Sequence, residues 1–340
     1  MINKNEKVLI TGITGMVGSH LADYLMKYTG WEIHGMCRWR SPQENVAHLI
    51  PFVNQKKRLF FHYGDLCDFI SIQNVINKVR PDYVFHLAAQ SYPQTSFTSP
   101  INTFDTNING TENLLEALRK QSDIDPWIHV CSSSEIFGRV SKDKLPIDEE
   151  CSFHPASPYA ISKVGTDLIA RFHAEAYKQK ILTTRMFTHT GPRRGDVFAE
   201  SSFAKQIAMI ERGYIDPFIK VGNLNSLRTF SDVRDAVRAY YLLLTKDPII
   251  GEYYNIGGSY SCTIGEMLDF LLSLSKVKNI KIVQERERLR PIDADLQVPN
   301  CSKFKNHTMW EPQIDFKNTM KDLLNYWRDK VKKNTNHLVR

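Results

Sequence analysis

The chain has 340 residues, 42% apolar and 24% charged, so it is long enough to bury a sizeable core and its composition excludes disorder as the main state. Its net charge is +7, but the last thirteen residues, RDKVKKNTNHLVR, carry five basic side chains and one acidic one, so a solvated tail explains most of the excess and a nucleic-acid partner is disfavoured. No apolar run approaches the roughly 18 residues of a membrane span, and the N-terminus has no secretory pattern, so neither a membrane partner nor secretion is expected.

The first half of the chain alternates short β-rich runs with amphipathic helical stretches. The predicted strands are Lys7–Ile10, Ile33–Cys37, Leu59–His62, Tyr83–His86 and Trp127–Val130. Between them, Leu21, Ala22, Leu25 and Met26 share one helix face, and Leu114, Leu115, Ala117 and Leu118 share another. This alternation predicts an α/β fold with a parallel sheet covered by helices on both faces.

The second half begins with a long helix and then changes character. A helix is predicted from Pro158 to about Lys178, with Ser157 as its N-cap. After a strand at Ile181–Phe187, further helices are predicted near Ser201–Arg212, Asp232–Thr245, Thr263–Ser275 and Lys317–Val331. We therefore predict a dinucleotide-binding domain over 1–187, a smaller mixed α/β substrate region over 188–330 that is partly interleaved with it, and a basic tail over 331–340.

The strongest local motif is VLITGITGMVGSHLADYL, in which Gly12, Gly15 and Gly18 follow a strand and open a helix. Glycines at this spacing let a backbone approach a pyrophosphate, whose charge the helix N-terminus stabilises. The alternative is a tight turn whose glycines serve packing alone. The context of strand, loop and helix favours dinucleotide binding.

The second strand ends in Cys37-Arg38-Trp39-Arg40-Ser41, where an enzyme that binds a free ribose hydroxyl usually has an acid. Guanidinium groups and a serine hydroxyl suit a 2′-phosphate instead, so NADP is predicted over NAD. Arg38 and Arg40 as surface charges or as an oligomer contact remain the alternative. The other residues predicted at the cofactor lie in the glycine loop or directly after the third and fourth strands: Thr14, Met16, Val17, Asp65, Leu66, Leu87, Ala88, Ala89 and Ser91.

The long helix carries a Tyr and a Lys one turn apart, Tyr159 and Lys163 in SPYAISK. A phenol is a poor base at neutral pH, and a nearby ammonium brings its pKa toward the working range. Such a pair also arises by chance in helices. After a glycine loop, however, it predicts a catalytic acid/base.

The strand before that helix ends in Cys131-Ser132-Ser133-Ser134-Glu135. Ser133 is placed to hydrogen-bond the oxygen on the reacting carbon, and Glu135 to exchange a proton with carbon. The alternative is a turn that closes the strand, with Glu135 as a helix-start acid.

The six cysteines are scattered, with no CxxC pair and no histidine at metal-ligand spacing. We predict reduced thiols, a cytoplasmic location and no metal site.

Together these motifs resemble the extended short-chain dehydrogenase/reductase superfamily, whose members have a Rossmann-type doubly wound sheet. Within it the chain is similar to the GDP-mannose 4,6-dehydratase family, and most similar to a bacterial branch that acts on GDP-manno-heptose. The similarity runs from about Val8 to Tyr326. Its specific stretches are TGITGMVGSHLADYL, HLAAQSYPQTSF, SSSEIFG, SPYAISK, GPRRGDVFAES, GNLNSLRTFSDVRDA and RLRPIDADL.

The resemblance implies roles for individual residues. It gives Ser133, Glu135, Tyr159 and Lys163 as the catalytic group, with Asn107 buried nearby. It also implies that His189 lies at the cofactor and that the substrate meets Ser91, Ser133, Arg194, Lys205, Arg228, Arg290 and Asp293. The implied reaction removes water from a GDP-sugar through NADP, which takes a hydride from C4 and returns it to C6. A homodimer or homotetramer is implied as well.

The chain departs from the family pattern at Thr188, where an Asn is usual, at Ser133, where a Thr is common, and at Thr229, where the mannose enzymes carry an acid. A heptose substrate fits these changes. A 4-keto reductase that uses NADPH is the enzymatic alternative, because RLRPIDADL and IKVGN resemble those enzymes nearly as well. A non-catalytic dinucleotide-binding scaffold is the third reading, against which the intact Tyr159, Lys163 and Glu135 argue.

Overall fold

The computed structural model describes residues 6–333. The strands are β1 Lys7–Thr11, β2 Glu32–Cys37, β3 Leu59–Tyr63, β4 Tyr83–His86, β5 Trp127–Cys131, β6 Ile181–Met186, β7 His189–Thr190, β8 Phe218–Val221, β9 Leu227–Asp232, β10 Tyr253–Ile256, β11 Tyr260–Thr263, β12 Lys281–Gln284 and β13 Leu296–Gln297. The helices are α1 Met16–Tyr28, α2 Ile50–Gln55, α3 Phe69–Val79, α4 Pro93–Thr98, α5 Pro100–Phe104, α6 Gly110–Arg119, α7 Pro158–Tyr177, α8 Ala199–Glu211, α9 Val233–Thr245, α10 Ile264–Ser273, α11 Ser302–Thr308 and α12 Phe316–Lys333. Short 3₁₀ turns cover Glu44–Leu49, Ser134–Ile136, Lys142–Lys144 and Arg286–Arg288, and a π-helical turn covers Asp105–Asn109.

The large sheet has seven strands in the order β10-β6-β5-β4-β1-β2-β3, and every neighbouring pair is parallel. All six strands predicted from the sequence lie in it, which confirms the doubly wound α/β fold. The strand order reverses at β1, between β2 and β4. In open parallel sheets such a reversal leaves a crevice at the carboxyl ends of the strands, where ligands bind.

Alternate residues of each strand face opposite layers, so the sheet separates two cores. Val8 and Ile10 of β1 pack toward α1 and α9, whereas Leu9 packs toward α3, α6 and α7. The predicted helix faces are confirmed: Leu21 and Leu25 of α1 are fully buried on one side of the sheet and Leu114 of α6 on the other.

A smaller layer is built around β9, which pairs with β11 in antiparallel fashion and with β7 and β13 in parallel fashion. A separate two-stranded sheet joins β8 and β12. Helices α8, α10 and α12 bury their apolar faces together beside these strands. The predicted helices of this half are confirmed to within a few residues at their ends.

The chain after residue 187 contributes to both layers. Strand β10 pairs with β6 at one edge of the large sheet, and α9 packs against α1 and β5. The sequence analysis did not identify β10, because a four-residue run has no periodicity and only its pairing with β6 makes it a strand.

The expected solvated tail is wrong for Arg328 and Lys330 of α12, whereas Lys332 and Lys333 are exposed. Arg328 pairs with Glu211 at 2.7 Å and Lys330 pairs with Glu44 at 2.7 Å. Both cations are therefore neutralised by carboxylates of neighbouring elements. Residues 331–333 of the predicted tail end α12, and residues 334–340 lie outside the described residues.

All six cysteines are free, as predicted. Within residues 6–333, none of the helices combines the length and the apolar character that a bilayer span requires.

Candidate active site

A cavity of about 880 Å³ opens along the carboxyl ends of the large sheet and extends to the smaller layer. Its wall follows the loops after β1, β2, β4, β5 and β6 on one side and the loop after β8 on the other. The predicted site residues that line it are Gly12, Thr14, Gly15, Met16, Val17, Gly18, Arg38, Ser41, Asp65, Leu66, Leu87, Ala88, Ala89, Ser91, Ser133, Glu135, Tyr159, Lys163, His189, Arg194, Arg228, Arg290 and Asp293. Arg40, Lys205 and Asn107 lie outside this lining.

The glycine loop is packed so tightly that only glycine fits at two of its positions. Gly12 has φ +73°, and a Cβ there would lie 2.9 Å from the backbone of Ala88. A Cβ on Gly18 would lie 2.4 Å from the carbonyl oxygen of Gly12. Gly15 caps α1, so the first N–H groups of that helix face the cavity. The loop therefore forms an anion-binding cradle.

The end of β2 separates the two predicted arginines. Arg38 and Ser41 line the cavity and are joined by a turn in which the Ser41 N–H donates to the Arg38 carbonyl at 2.9 Å. The Arg40 side chain is 63% exposed and lies 3.9 Å from the carboxylate of Asp65 at the surface. Arg38 and Ser41, rather than Arg40, are in position to bind a phosphate in the cavity.

Helix α7 begins where the sequence predicts, because the Ser157 hydroxyl accepts the N–H of Ala160 at 3.0 Å. This start places Tyr159 and Lys163 on one face, both buried against the cavity wall. Ser133 accepts the N–H of Glu135 at 3.2 Å, which fixes the turn that brings both side chains to Tyr159. The four predicted catalytic residues therefore meet at one place.

The electrostatics of this group differ from the expected pairing of a phenol with an ammonium. Burial raises the pKa of Tyr159 above its ordinary value, and the hydrogen bond with Ser133 and the charge of Arg194 act in the opposite direction. Lys163 donates to the carbonyl of Cys131 at 2.7 Å, and burial lowers the pKa of its ammonium. Ser133 and Arg194, rather than Lys163, are the neighbours that act to lower the pKa of Tyr159, which burial still leaves above its ordinary value.

Glu135 links the catalytic group to the smaller layer. Its side chain is 17% exposed, and Arg290 approaches its carboxylate at 3.6 Å. The same guanidinium lies 3.4 Å from Asp293. Glu135 is thus a half-buried carboxylate with a cationic neighbour, directly beside Tyr159.

Arg228 and Asp293 form the wall opposite the catalytic group. Their side chains are 3.4 Å apart, and Arg228 also donates to the carbonyl of Ala294. Burial alone would raise the pKa of Asp293, but Arg290 and Arg228 hold it below its usual value. This wall offers guanidinium groups to an anion and a carboxylate to hydroxyl groups.

Arg194 and His189 lie between the two walls. The Arg194 guanidinium covers the ring of Phe198 at 3.4 Å and lies 3.2 Å from Glu200. Burial and the charge of Arg194 lower the pKa of His189 to about 4, so its ring is neutral at physiological pH. His189 donates through Nδ1 to the Phe187 carbonyl at 3.1 Å, which fixes its orientation.

Two residues from the resemblance lie outside the lining for different reasons. Lys205, on α8, pairs with Asp196 at 2.7 Å and is 7% exposed, so its charge is used within the protein. Asn107 lies behind the loop after β4, where its side chain holds both the N–H and the carbonyl of Gln90. Asn107 therefore supports the wall from outside the cavity.

Among the lining residues that sequence reasoning missed are Asn45 and Arg193. Asn45 donates to the carbonyl of Thr14 at 3.1 Å and so holds the glycine loop, but no motif marks it. Arg193 pairs with Asp23 of α1 at 2.7 Å. The sequence could have indicated it, because Arg193 is adjacent to the predicted Arg194 in the motif GPRRG.

Within residues 6–333, the one group with the character of metal ligands lies elsewhere, at Glu112, Glu116 and His173. Glu116 is held by Arg119 at 2.6 Å, and His173 lies 3.1 Å from Glu112. Its side chains already bond to one another and to an arginine.

Comparison with known proteins agrees with this geometry. Residues 9–323 match the family model described as GDP-mannose 4,6 dehydratase. The chain is 30% identical to GDP-6-deoxy-D-mannose reductase of Pseudomonas aeruginosa, over 96% of this chain and 99% of that protein. It is 34% identical to GDP-mannose 4,6-dehydratase of Vibrio cholerae, over 91% and 90% of the two chains. A solved structure of RMD from Pseudomonas aeruginosa complexed with NADPH superposes with a TM-score of 0.81 at 29% identity. The superposition covers 96% of this chain and 100% of that one.

Proposed function

This chain belongs to the GDP-mannose 4,6-dehydratase family, and from that membership we propose that it is a sugar-nucleotide 4,6-dehydratase acting through NADP. The substrate is GDP-mannose or GDP-D-glycero-α-D-manno-heptose, and the product is the 4-keto-6-deoxy sugar. The observation that supports this most directly is the Glu135 carboxylate beside Tyr159 in one cavity. Loss of water across C5 and C6 needs a second acid/base in addition to the group that serves the C4 hydroxyl.

The cavity fits a nicotinamide dinucleotide. The close approach at Gly12 and Gly18 leaves a cradle that any Cβ would fill, at the N-terminus of α1. Arg38 and Ser41 would hold a 2′-phosphate, and Leu87 to Ala89 would line the nicotinamide half. When bound, NADP supplies a hydride acceptor for C4 that gives the hydride back at C6.

The chain's own groups move the protons. Tyr159 takes the proton of the C4 hydroxyl, and Ser133 holds the same oxygen through its hydroxyl. Once C4 is a ketone, the C5 proton becomes acidic, and Glu135 removes it. Glu135 then gives this proton to the C6 hydroxyl, which leaves as water. The proton that Tyr159 took from the C4 hydroxyl passes to C5, so that both residues end in their starting protonation states. Arg290, at 3.6 Å, faces the Glu135 carboxylate before the first transfer and after the second, whereas between them Glu135 carries the C5 proton and is neutral.

The GDP moiety is assigned to the opposite wall. Arg228 and Arg290 are in position for the diphosphate, and Asp293 for a ribose hydroxyl. Lys205 is not assigned to the diphosphate, because its side chain pairs with Asp196 outside the cavity lining.

The choice between mannose and heptose depends on the pocket around C6. Of the two threonines that depart from the family pattern, Thr188 lines the cavity, and its short side chain leaves room beside the sugar. Thr229 is buried and hydrogen-bonded to Ser261 at 2.7 Å, so it carries no information about the sugar. Thr188 is therefore the residue that supports a heptose. A cytoplasmic location and a homodimer or homotetramer remain predictions.

A 4-keto reductase is the second candidate, favoured by the similarity to the Pseudomonas reductase over 99% of its length. Such an enzyme would consume NADPH and would need Tyr159 but no base at C5. A non-catalytic scaffold would need neither Tyr159 nor Glu135.

The deciding experiment incubates the purified protein, without added NADPH, with GDP-mannose and with GDP-manno-heptose, and follows product mass and nicotinamide absorbance. Loss of one water with no net absorbance change supports the dehydratase, and the faster substrate identifies the sugar. No water loss, together with NADPH consumption when a GDP-4-keto-6-deoxy sugar is supplied, supports the reductase.

Two variants sharpen the result. Glu135→Gln should abolish water loss but still allow transient reduction of the bound cofactor, whereas Tyr159→Phe should stop both, by about 10²- to 10⁴-fold. If Tyr159→Phe leaves every rate unchanged, the catalytic proposal is wrong and the scaffold is favoured.

A further inference from the structure

His86 ends β4 directly before the loop that lines the predicted nicotinamide half of the cavity. Its side chain does not line the cavity and is 4% exposed. Both ring nitrogens are hydrogen-bonded: Nδ1 lies 2.9 Å from the Thr11 hydroxyl and Nε2 lies 3.0 Å from the Thr111 hydroxyl. The mechanism above gives this buried residue no role.

The hydrogen bonds of Thr11 determine which nitrogen of His86 carries the proton. The Thr11 hydroxyl accepts the N–H groups of Leu87 and Ala88, each at 3.1 Å. These two donors fill its lone pairs, so its own proton goes to Nδ1 of His86. The proton of the neutral ring is therefore on Nε2, which donates to Thr111. Burial and the charge of Lys163 lower the pKa of His86 to about 3, which keeps the ring neutral.

The second half of the network leads to the catalytic helix. Thr111 donates to the carbonyl oxygen of Asn107 at 2.6 Å. The Asn107 amide donates to the Gln90 carbonyl at 2.9 Å and to the Ser162 hydroxyl at 2.8 Å. Ser162 in turn donates to the carbonyl of Tyr159 at 2.7 Å. Every step is a direct hydrogen bond between buried or half-buried groups.

We infer that His86 is a positioning residue that holds the loop after β4 through its Nδ1 and the start of α7 through its Nε2, so that one ring sets the distance between the cofactor loop and Tyr159. The ring contacts neither the cavity nor the reacting atoms. The inference rests on the proposed function only in taking residues 87–89 as a cofactor contact. It requires one neutral tautomer, which a residue with a purely space-filling role would not.

The two ends of the ring can be tested separately. In His86→Asn the amide oxygen replaces Nδ1 as acceptor but nothing reaches Thr111, and in His86→Gln the amide nitrogen replaces Nε2 as donor but nothing reaches Thr11. We expect His86→Gln to release NADPH about tenfold faster, the effect of one lost hydrogen bond, and to speed amide exchange in residues 87–90. We expect His86→Asn to leave NADPH release within about twofold, to speed exchange in residues 158–163 and to lower kcat about tenfold.

A second pair of variants leaves the histidine in place and changes little volume. Thr11→Val removes the partner of Nδ1 together with the acceptor of the Leu87 and Ala88 N–H groups, so it should change the same segment as His86→Gln and by more. Thr111→Val removes the partner of Nε2 together with the bond to the Asn107 carbonyl, so it should change the same segment as His86→Asn and by more. If the histidine variants fail to fold, the same measurements are made on this pair of threonine variants. NADPH release, followed by its fluorescence, and amide exchange need no sugar substrate, so failure of the proposed dehydratase activity would leave both readouts intact.

His173 is the matched control. It is fully buried, and its nitrogens lie 2.6 Å from Gln179 and 3.1 Å from Glu112, away from the cavity. His173→Phe should lower the melting temperature without changing NADPH release or exchange in residues 87–90. The inference is overturned if the Nδ1 and Nε2 variants give the same changes in both segments, or if His173→Phe matches them.

Discussion

The two walls of the cavity are built in different ways. On the side proposed for the cofactor, backbone groups at the ends of parallel strands form the surface, and glycine allows contacts as close as 2.4 Å to a position where a Cβ would lie. On the side proposed for the substrate, long cationic side chains form the surface, and each of Arg194, Arg228 and Arg290 already has a carboxylate neighbour at 3.2 to 3.4 Å. The first wall is fixed by strand register and the second by charge balance.

This difference predicts how each wall responds to change. A wall made of backbone is more sensitive to added volume than to loss of charge. A wall made of ion pairs tolerates a change in volume but not a loss of charge, because the remaining partner is left partly buried and unpaired. Four experiments test the comparison, in decreasing order of expected effect.

As the pH falls, the buried histidines of the large sheet should lower the free energy of unfolding before the carboxylates in the ion pairs of the smaller layer become protonated. Burial lowers the pKa of His86 and of His129 to about 3, so between pH 6.5 and that value only the unfolded chain binds these protons. The free energy of unfolding should fall by about 1.4 kcal/mol per pH unit for each ring in this window. The pKa of Asp293 is depressed, so its contribution is present above its unfolded pKa and is lost only as pH falls through the lower folded value. Denaturant unfolding from pH 7 to 4 measures the slope. His129→Phe should flatten it, and an unchanged slope would contradict the assignment.

Gly18→Ala should weaken NADPH binding about a hundredfold, because added volume in a packed site costs about 1 to 3 kcal/mol. The new Cβ would lie 2.7 Å from the Cα of Ile13. Gly213→Ala is the control, since Gly213 has φ +69° but no neighbour within 4 Å. It should cost about 1 kcal/mol of stability and leave NADPH affinity unchanged. Equal losses of NADPH affinity in both variants would contradict the claim that close packing at Gly18 makes this wall sensitive to added volume.

Arg228→Gln should weaken GDP binding about 30-fold, the range of a hydrogen bond to a charged group, while NADPH affinity stays the same. Calorimetry with GDP and with NADPH measures both. Arg212→Gln removes the same charge from an exposed position after α8 and is expected to change neither. A loss of NADPH affinity in Arg228→Gln would mean that the two walls are not independent.

Arg38→Ala should weaken NADP binding about tenfold and NAD binding much less, because only NADP offers a 2′-phosphate to the guanidinium. Arg40→Ala should leave both affinities unchanged, since its side chain lies outside the cavity lining. If Arg40→Ala has the larger effect, Arg40 rather than Arg38 binds the phosphate.

Much of the cofactor wall could be predicted from the sequence. A β-rich run followed by spaced glycines and an amphipathic helix fixes the local chain path, and the structure places Gly12, Gly15 and Gly18 in one anion-binding loop. Tyr159 and Lys163 also meet as predicted, because a helix of known start sets their common face. These features depend on neighbours within a few residues, so the sequence carries them directly.

The positions of the cationic side chains on the two walls could be predicted only in part. Arg40 and Lys205 looked as suitable for phosphate as Arg38 and Arg228, yet one is exposed beside Asp65 and the other is held by Asp196. The sequence shows that a residue is basic, but it does not show which carboxylate will form an ion pair with that residue in the folded protein.

The sequence by itself therefore determined the strand and helix faces, the glycine loop and the spacing of the catalytic pair, since each follows from backbone geometry and periodicity. Only the tertiary structure decided that β10 joins the large sheet, that Lys163 donates to the Cys131 carbonyl and that His86 bridges Thr11 and Thr111. These outcomes join residues as far as 75 positions apart. A buried polar group must be paired, and the fold alone brings its partner within reach.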